Sequence, residues 1–206
     1  MDVRDKLLSA ALRVFEESGS RGATTRRIAS EAGVNEVTLF RHFGSKSALL
    51  SEALQAAARQ NLVTGLPAEP RDPELELTRW CRTHLAHLHG ARSMIRTCMG
   101  EFEQAPEIAG CASATPARVS DELHGYLLRL RERGMAAGDF DARAAASMLM
   151  GALFTDAMGR DMMPEKYGYS AEEAPAKYVT LFLRAIGATS ARGAAPEGEA
   201  APAGDA

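Results

Sequence analysis

Apolar residues recur along this chain at intervals of three and four, the period of an α-helix, and nowhere alternate over a length that would make a strand. Leu7, Leu8, Ala11, Leu12 and Phe15 form one stripe and predict a helix over residues 2–18, ended by Ser18-Gly19. Thr24 or Thr25 can cap a short second helix whose apolar face is Ile28, Ala29 and Ala32. Gly33 falls where that helix must stop in a left-handed conformation. Asn35 caps a third helix in which Leu39 and Phe43, four apart, share the buried side. Ser45 opens a fourth, with Leu49, Leu50, Ala53 and Leu54, reaching about residue 63.

The Pro- and Gly-rich run 64–73 stops helix formation. Helices are then expected over 74–89 and 92–104. The next starts with Pro116 in its first position, points Val119, Leu123, Leu127 and Leu130 inward, and runs to about 137. The last two span 142–163 and 171–186, the latter with Val179, Phe182, Leu183 and Ile186 in register. Residues 188–206 are Ala/Gly/Pro/Glu low complexity and are expected to be disordered. The pattern therefore predicts an all-α protein of about nine helices, with a first domain over 1–46, a second over 47–187 and a tail.

The polar positions between 24 and 46 change this picture. Glu36, Val37, Thr38, Phe40, Arg41 and His42 face outward on the third helix, an odd mixture for a merely solvated surface. Two short helices around a glycine turn, the second with such a face, have the layout of a helix-turn-helix reader of DNA. The chain has a net charge of −3. Yet from Arg21 to Lys46 five basic residues face two acidic ones, a net of +3, while 61–206 hold 15 basic and 20 acidic, a net of −5. A basic patch on an acidic chain suits a site-specific binder better than an indiscriminate one. Arg26 and Arg27 sit in the first turn of their helix, where the macrodipole disfavours cations, and a docked phosphate would reverse that effect. Lys46 repeats the arrangement at the start of the fourth helix.

Composition narrows the setting. With 46% hydrophobic and 25% charged residues the chain is an ordinary globular protein. Three cysteines, Cys81, Cys98 and Cys111, without paired spacing fit a reducing compartment. The N-terminus lacks a secretory pattern, and no run of about 18 apolar residues exists to span a membrane. A cytoplasmic protein without membrane partners or cofactor is expected.

The motifs AAxxxF (Ala10, Ala11, Phe15), the Gly19 stop, TTRRIASEAGV from Thr24 to Val34, and TLFRHFxSKxxLL from Thr38 to Leu50 resemble the N-terminal domain of TetR-family transcriptional regulators over residues 7–50. The remainder resembles that family only in architecture, as a helical ligand-binding and dimerisation domain. The resemblance implies that Thr24, Thr25, Thr38, His42 and Lys46 hold phosphates. It implies also that Arg26, Glu36, Val37, Phe40 and Arg41 approach base edges. Arg41 can bridge guanine O6 and N7, Glu36 can accept from a cytosine amine, and Val37 can touch a thymine methyl. Two positions depart from the family pattern: Phe40 replaces the usual tyrosine and Val37 a common glycine.

One reader helix covers too few base pairs for tight binding, so a homodimer on a palindromic double-stranded operator is expected, with repression as the family default. Small residues Ala144, Ala145, Gly151 and Ala152, with Val179, Phe182 and Ile186, are the candidate dimer seam; the alternative is that these faces pack within one chain. Trp80, His84, Met94, Met99, Phe102, Tyr126 and Met148 are candidates for the pocket of an unidentified small-molecule effector, adaptable because of its methionines, or else plain core. Occupancy there would shift the helix that starts after Ser45 and reset the spacing of two reader helices. A metal or catalytic reading would rest on Cys81, His84, His87 and His89 or on Glu101 and Glu103. The histidines drift round their helix, however, and no HExxH, P-loop, GxSxG or GxGxxG occurs. A redox input through Cys81, Cys98 or Cys111 is the other alternative.

Overall fold

The first helix begins at a side-chain cap, Asp2 Oδ1 accepting from Val3 N at 2.6 Å. In the computed structural model, which describes residues 2–60, 65–101 and 114–188, nine α-helices and no strand follow among the described residues. They are α1 Val3–Gly22, α2 Thr25–Ala32, α3 Glu36–Phe43, α4 Lys46–Gln60, α5 Pro73–Gly90, α6 Arg92–Glu101, α7 Ala114–Glu132, α8 Ala142–Gly159 and α9 Ala174–Ala185, with a 3-10 turn at Pro164–Lys166. Of the expected tail 188–206 only Ala188 is described; its remainder and the end of the expected helix 92–104 lie outside the described residues.

Several boundaries differ from expectation: the helix expected over 142–163 ends at Gly159, the one expected over 171–186 spans Ala174–Ala185, and three others are set locally. Gly19 (φ 64°, ψ −173°) interrupts α1, as expected, but one further turn follows to Gly22. Pro116 is the third residue of α7, not the first. That helix also ends five residues early, because Gly134 (φ 67°) takes the left-handed conformation and Met135 N bonds back to Leu130 O at 2.8 Å.

Two hydrophobic cores result. The first joins Leu7, Ala11 and Phe15 of α1, Ile28 of α2 and Leu39 of α3. Leu49, Leu50, Ala53 and Leu54 of α4 are buried with them, so this packing unit extends past the division expected at residue 46. It also takes in a distant element: Cys98 of α6 is buried in it and Met94 packs against it. The second core is built from α5, α7, α8 and α9, with Leu77, Tyr126, Leu127, Leu153 and Val179 fully buried. α9 packs chiefly on α5. Its apolar residues Val179, Phe182 and Ile186 are therefore interior to this chain, and offer no surface to a second copy.

At the base of the second core the buried Asp156 of α8 is fully engaged. Arg160 Nε donates to its Oδ1 at 2.9 Å, and Arg160 Nη2 and Tyr178 Oη donate to Oδ2 at 2.5 and 2.6 Å. Burial alone would push this carboxyl up, but the Arg160 and Tyr178 hydrogen bonds outweigh it and hold it below the usual range. Tyr169 Oη donates to Tyr178 Oη at 2.9 Å, and Arg160 Nη1 donates to Tyr169 O at 2.6 Å, so the segment after α8 is folded back on the same pair. A nearby cluster fastens α6: Asp161 accepts from Arg96 at 2.7 and 3.1 Å and pairs with Arg92 at 3.0 Å, while Arg96 Nη2 also donates to Met158 O at 2.5 Å.

Replacing Asp156 by Ala leaves Arg160 in a largely buried site without its counter-charge. Asp156→Ala should cost about 3–5 kcal/mol of unfolding free energy in urea titrations at neutral pH, against a smaller loss for Asp156→Asn.

Candidate nucleic-acid interface

Each element of the reader region is fixed by a side-chain cap. Thr24 Oγ1 accepts from Arg27 N at 3.2 Å at the start of α2, and Gly33 (φ 70°, ψ 32°) ends that helix. Asn35 Oδ1 accepts from both Thr38 N and Thr38 Oγ1 at 2.8 Å to start α3. Gly44 (φ 73°) closes it, and Ser45 Oγ accepts from Ala48 N at 3.1 Å to start α4. Leu39 is wholly buried and anchors α3 on α1, α2 and α4. Phe43 packs against the same core beneath the Arg4 guanidinium, 4.8 Å above its ring.

Outward on α3 stand Val37, 76% exposed, Phe40, 46% exposed, and the exposed Arg41 and His42. Arg26 on α2 is also exposed, and among the described residues neither Arg26 nor Arg41 has an ion-pair partner. With the exposed Arg21, which also has no ion-pair partner among the described residues, they are the cations most available to an incoming polyanion. Of the other basic residues in this region, Arg27 and Lys46 are already engaged. Arg27 pairs with Glu17 and donates to Ser18 Oγ at 3.0 Å, so a carboxylate of α1, not a phosphate, compensates its place in the first turn of α2. Lys46 Nζ donates to Ser20 O at 2.7 Å, which ties α4 to the end of α1 and leaves two ammonium protons for other acceptors. Thr25 Oγ1 donates to Glu36 Oε2 at 2.7 Å, joining the first residues of α2 and α3. None of these contacts follows helical periodicity, and partners nine to 26 positions apart in the chain leave no pattern in the sequence.

The expected effector-pocket residues do not stay together. Met94 belongs to the core of the reader domain, because its helix lies against α1. Met99 and Met148 are more than half exposed and line no interior space. Phe102 lies outside the described residues. Trp80, His84 and Tyr126 are buried in the second core. Tyr126 Oη donates to Glu76 Oε2 at 2.6 Å, and burial together with this bond pushes its phenol well up. Trp80 and His84, one turn apart on α5, stack with ring centroids 5.3 Å apart and planes at 13°. Among the described residues, neither the indole nitrogen nor either imidazole nitrogen has a hydrogen-bond partner. Burial, with a smaller push from His87, lowers His84 to about 4, so its ring is neutral near pH 7 and offers one donor and one acceptor.

Among the expected seam residues, Ala144 and Gly151 are exposed, Ala152 is half-buried and Ala145 is buried. Met148 of α8 and Leu181 of α9, 65% exposed, complete an outward apolar set. Of the cysteines, Cys81 and Cys98 are buried, and burial pushes the Cys81 thiol up to about 12, which disfavours the reactive thiolate. Cys111 lies outside the described residues. Among the described residues no group of three His, Cys, Asp or Glu side chains is placed to hold a metal ion.

Residues 7–53 match the family model "Bacterial regulatory proteins, tetR family", and residues 76–188, more than half of the chain, match "AefR-like transcriptional repressor, C-terminal domain". The chain belongs to the TetR family. It is a DNA-binding transcriptional regulator of the repressor type, and α2–α3 is its helix-turn-helix. It is 27% identical over 130 residues to the HTH-type transcriptional regulator YvkB of Bacillus subtilis, covering 63% of this chain and 68% of that one. It is 28% identical over 137 residues to the class C tetracycline repressor of Escherichia coli, covering 66% of this chain but 57% of the repressor. A putative TetR-family regulator from Mesorhizobium loti shares the fold at a TM-score of 0.73 and 23% identity, over 90% of this chain and 96% of the other.

Two measurements test the site residues. Arg41→Ala should lose roughly 1–3 kcal/mol of operator binding, concentrated at one base pair, whereas Lys46→Ala should weaken binding alike on all sequences and reduce the salt slope by about one. Fluorescence anisotropy over a salt series separates the two. For His84, the unfolded ring takes up a proton near 6.5 and the folded one only near 4. The unfolded state thus binds more protons between these values, and stability falls as the pH is lowered through them. Urea midpoints at pH 7 and 5 should differ less in His84→Gln than in the wild type.

Proposed function

We propose that this regulator is a homodimer that binds a palindromic operator and releases it when a small molecule occupies the second domain. The observation that carries this reading is the position of α6. Its Met94 and Cys98 belong to the core of the DNA-reading domain, while Arg92 and Arg96 are held by Asp161 at the end of α8. A helix fastened into both halves transmits a displacement of either to the other. This favours α6 as a coupling element over the helix after Ser45 alone, since the buried residues of α4, Leu49, Leu50, Ala53 and Leu54, all lie in the reader core.

The effector site is placed at Trp80 and His84. Buried polar atoms without partners are costly in a packed interior; three here have none among the described residues, and a ligand bearing a hydroxyl or carbonyl would satisfy them. Dimerisation is placed on the outward face of α8 and α9, where Ala144 and Gly151 permit close approach and Met148 and Leu181 supply apolar area. The division of labour is then a reader domain, an effector and dimer domain from α5 onward, and a tail.

The chain has a single tryptophan, so its emission reports on Trp80 alone. In a panel of alcohols, phenols and fatty acids, the compounds that change Trp80 emission should be those that weaken operator binding. Operator DNA should in turn weaken their binding by the same factor, as linkage requires. Leu181→Glu should convert the dimer to a folded monomer in sedimentation and lower operator affinity at least about 100-fold. Trp80 ligands without effect on DNA, or a wild-type monomer on the operator, would overturn the corresponding part.

A further inference from the structure

The contact between Thr25 and Glu36 assigns a role to a threonine that the family resemblance places on a phosphate. Thr25 is the first residue of α2 and Glu36 the first of α3; both are half-buried, and Thr25 Oγ1 lies 2.7 Å from Glu36 Oε2. A hydroxyl has one proton. The carboxylate oxygen can only accept, so that proton is committed to Glu36 and cannot at the same moment be given to a phosphate oxygen, which also only accepts. Thr24, whose oxygen accepts from Arg27 N in the cap, keeps its own proton for donation.

The bond also fixes Glu36. A glutamate in the first turn of a short helix has several open rotamers, and ordering one of them costs entropy when DNA binds. Here one carboxylate oxygen is held by α2, and the other remains an acceptor. Glu36 directly precedes the most exposed apolar residue of α3, Val37, and lies one turn before the exposed Phe40 and Arg41.

We propose that Thr25 is a positioning residue for base readout: its hydroxyl holds Glu36 so that the free carboxylate oxygen meets a base amino group in the major groove, cytosine N4 or adenine N6. This rests on α3 being the reading helix. Thr25 then contributes to sequence preference at one base pair and little to affinity elsewhere.

The test uses the full chain and a randomised DNA pool, with competition binding on the enriched sites and their single-base variants. Wild type should discriminate about tenfold at the base pair read by Glu36. Thr25→Val, which keeps the shape and removes the hydroxyl, should reduce that preference to within about twofold while leaving preferences at the Arg41 position intact. Thr25→Ser should restore it, and Glu36→Gln should alter preference at the same base pair. A Thr25→Val protein that loses affinity equally for every sequence would show a phosphate contact and overturn the inference. So would loss of preference at several positions at once, which means a shifted α3. If Glu36→Gln changes no preference while Arg41→Ala does, Glu36 reads no base and the inference fails although α3 still reads DNA. If the wild type enriches no sequence at all, the reading of α3 fails with it.

Discussion

Hydrophobic burial shared across the two halves is the constraint on which the rest of this molecule depends. The reader domain alone is α1, two short helices and α4, a core of mostly alanine and leucine in fewer than 60 residues, and units of that size are marginal. α6 supplies what is missing. Full burial of a side chain such as Met contributes about 1.5–3 kcal/mol, and α6 adds the buried Cys98 and the partly buried Met94 to the N-terminal core. The reader domain therefore takes part of its stability from an element that belongs by sequence to the regulatory half.

That arrangement explains why the charges sit where they do. Arg92 and Arg96 lie on α6 and Asp161 just beyond α8, and they pin α6 without occupying either core. Asp156, Arg160, Tyr169 and Tyr178 perform the same service one layer deeper, closing the segment after α8 onto α9. Directional polar contacts fix the relative placement of helices that apolar burial alone would allow to slide.

How much of this was legible beforehand follows from what periodicity can encode. The apolar stripes gave the helices, and Leu39, Ile28 and Phe15 proved to be interior as the stripes require. Gly33 was readable because a single backbone conformation demands it. Periodicity says that a face is apolar but not what covers it. Val179, Phe182 and Ile186 were read as a seam between copies, yet they cover α5 of their own chain, and the outward residue is Leu181 beside them. Met94 was assigned to a pocket by residue type alone, and only the packing of α6 on α1 could relocate it. Arg27 looked like a phosphate ligand because its partner Glu17 lies across a turn that no pattern links to it.

The protein free of DNA has a reader surface on which several polar groups are already partnered, Thr25 with Glu36, Thr38 with Asn35, Arg27 with Glu17 and Lys46 with Ser20, while Arg26 and Arg41 stand exposed. For Arg27 and Lys46, docking on a phosphate backbone is then a sharing or exchange of bonds more than a simple gain, whereas Thr25 and Glu36 meet the groove already joined. Part of the entropy cost of ordering the reading surface is thus met in folding, before DNA arrives.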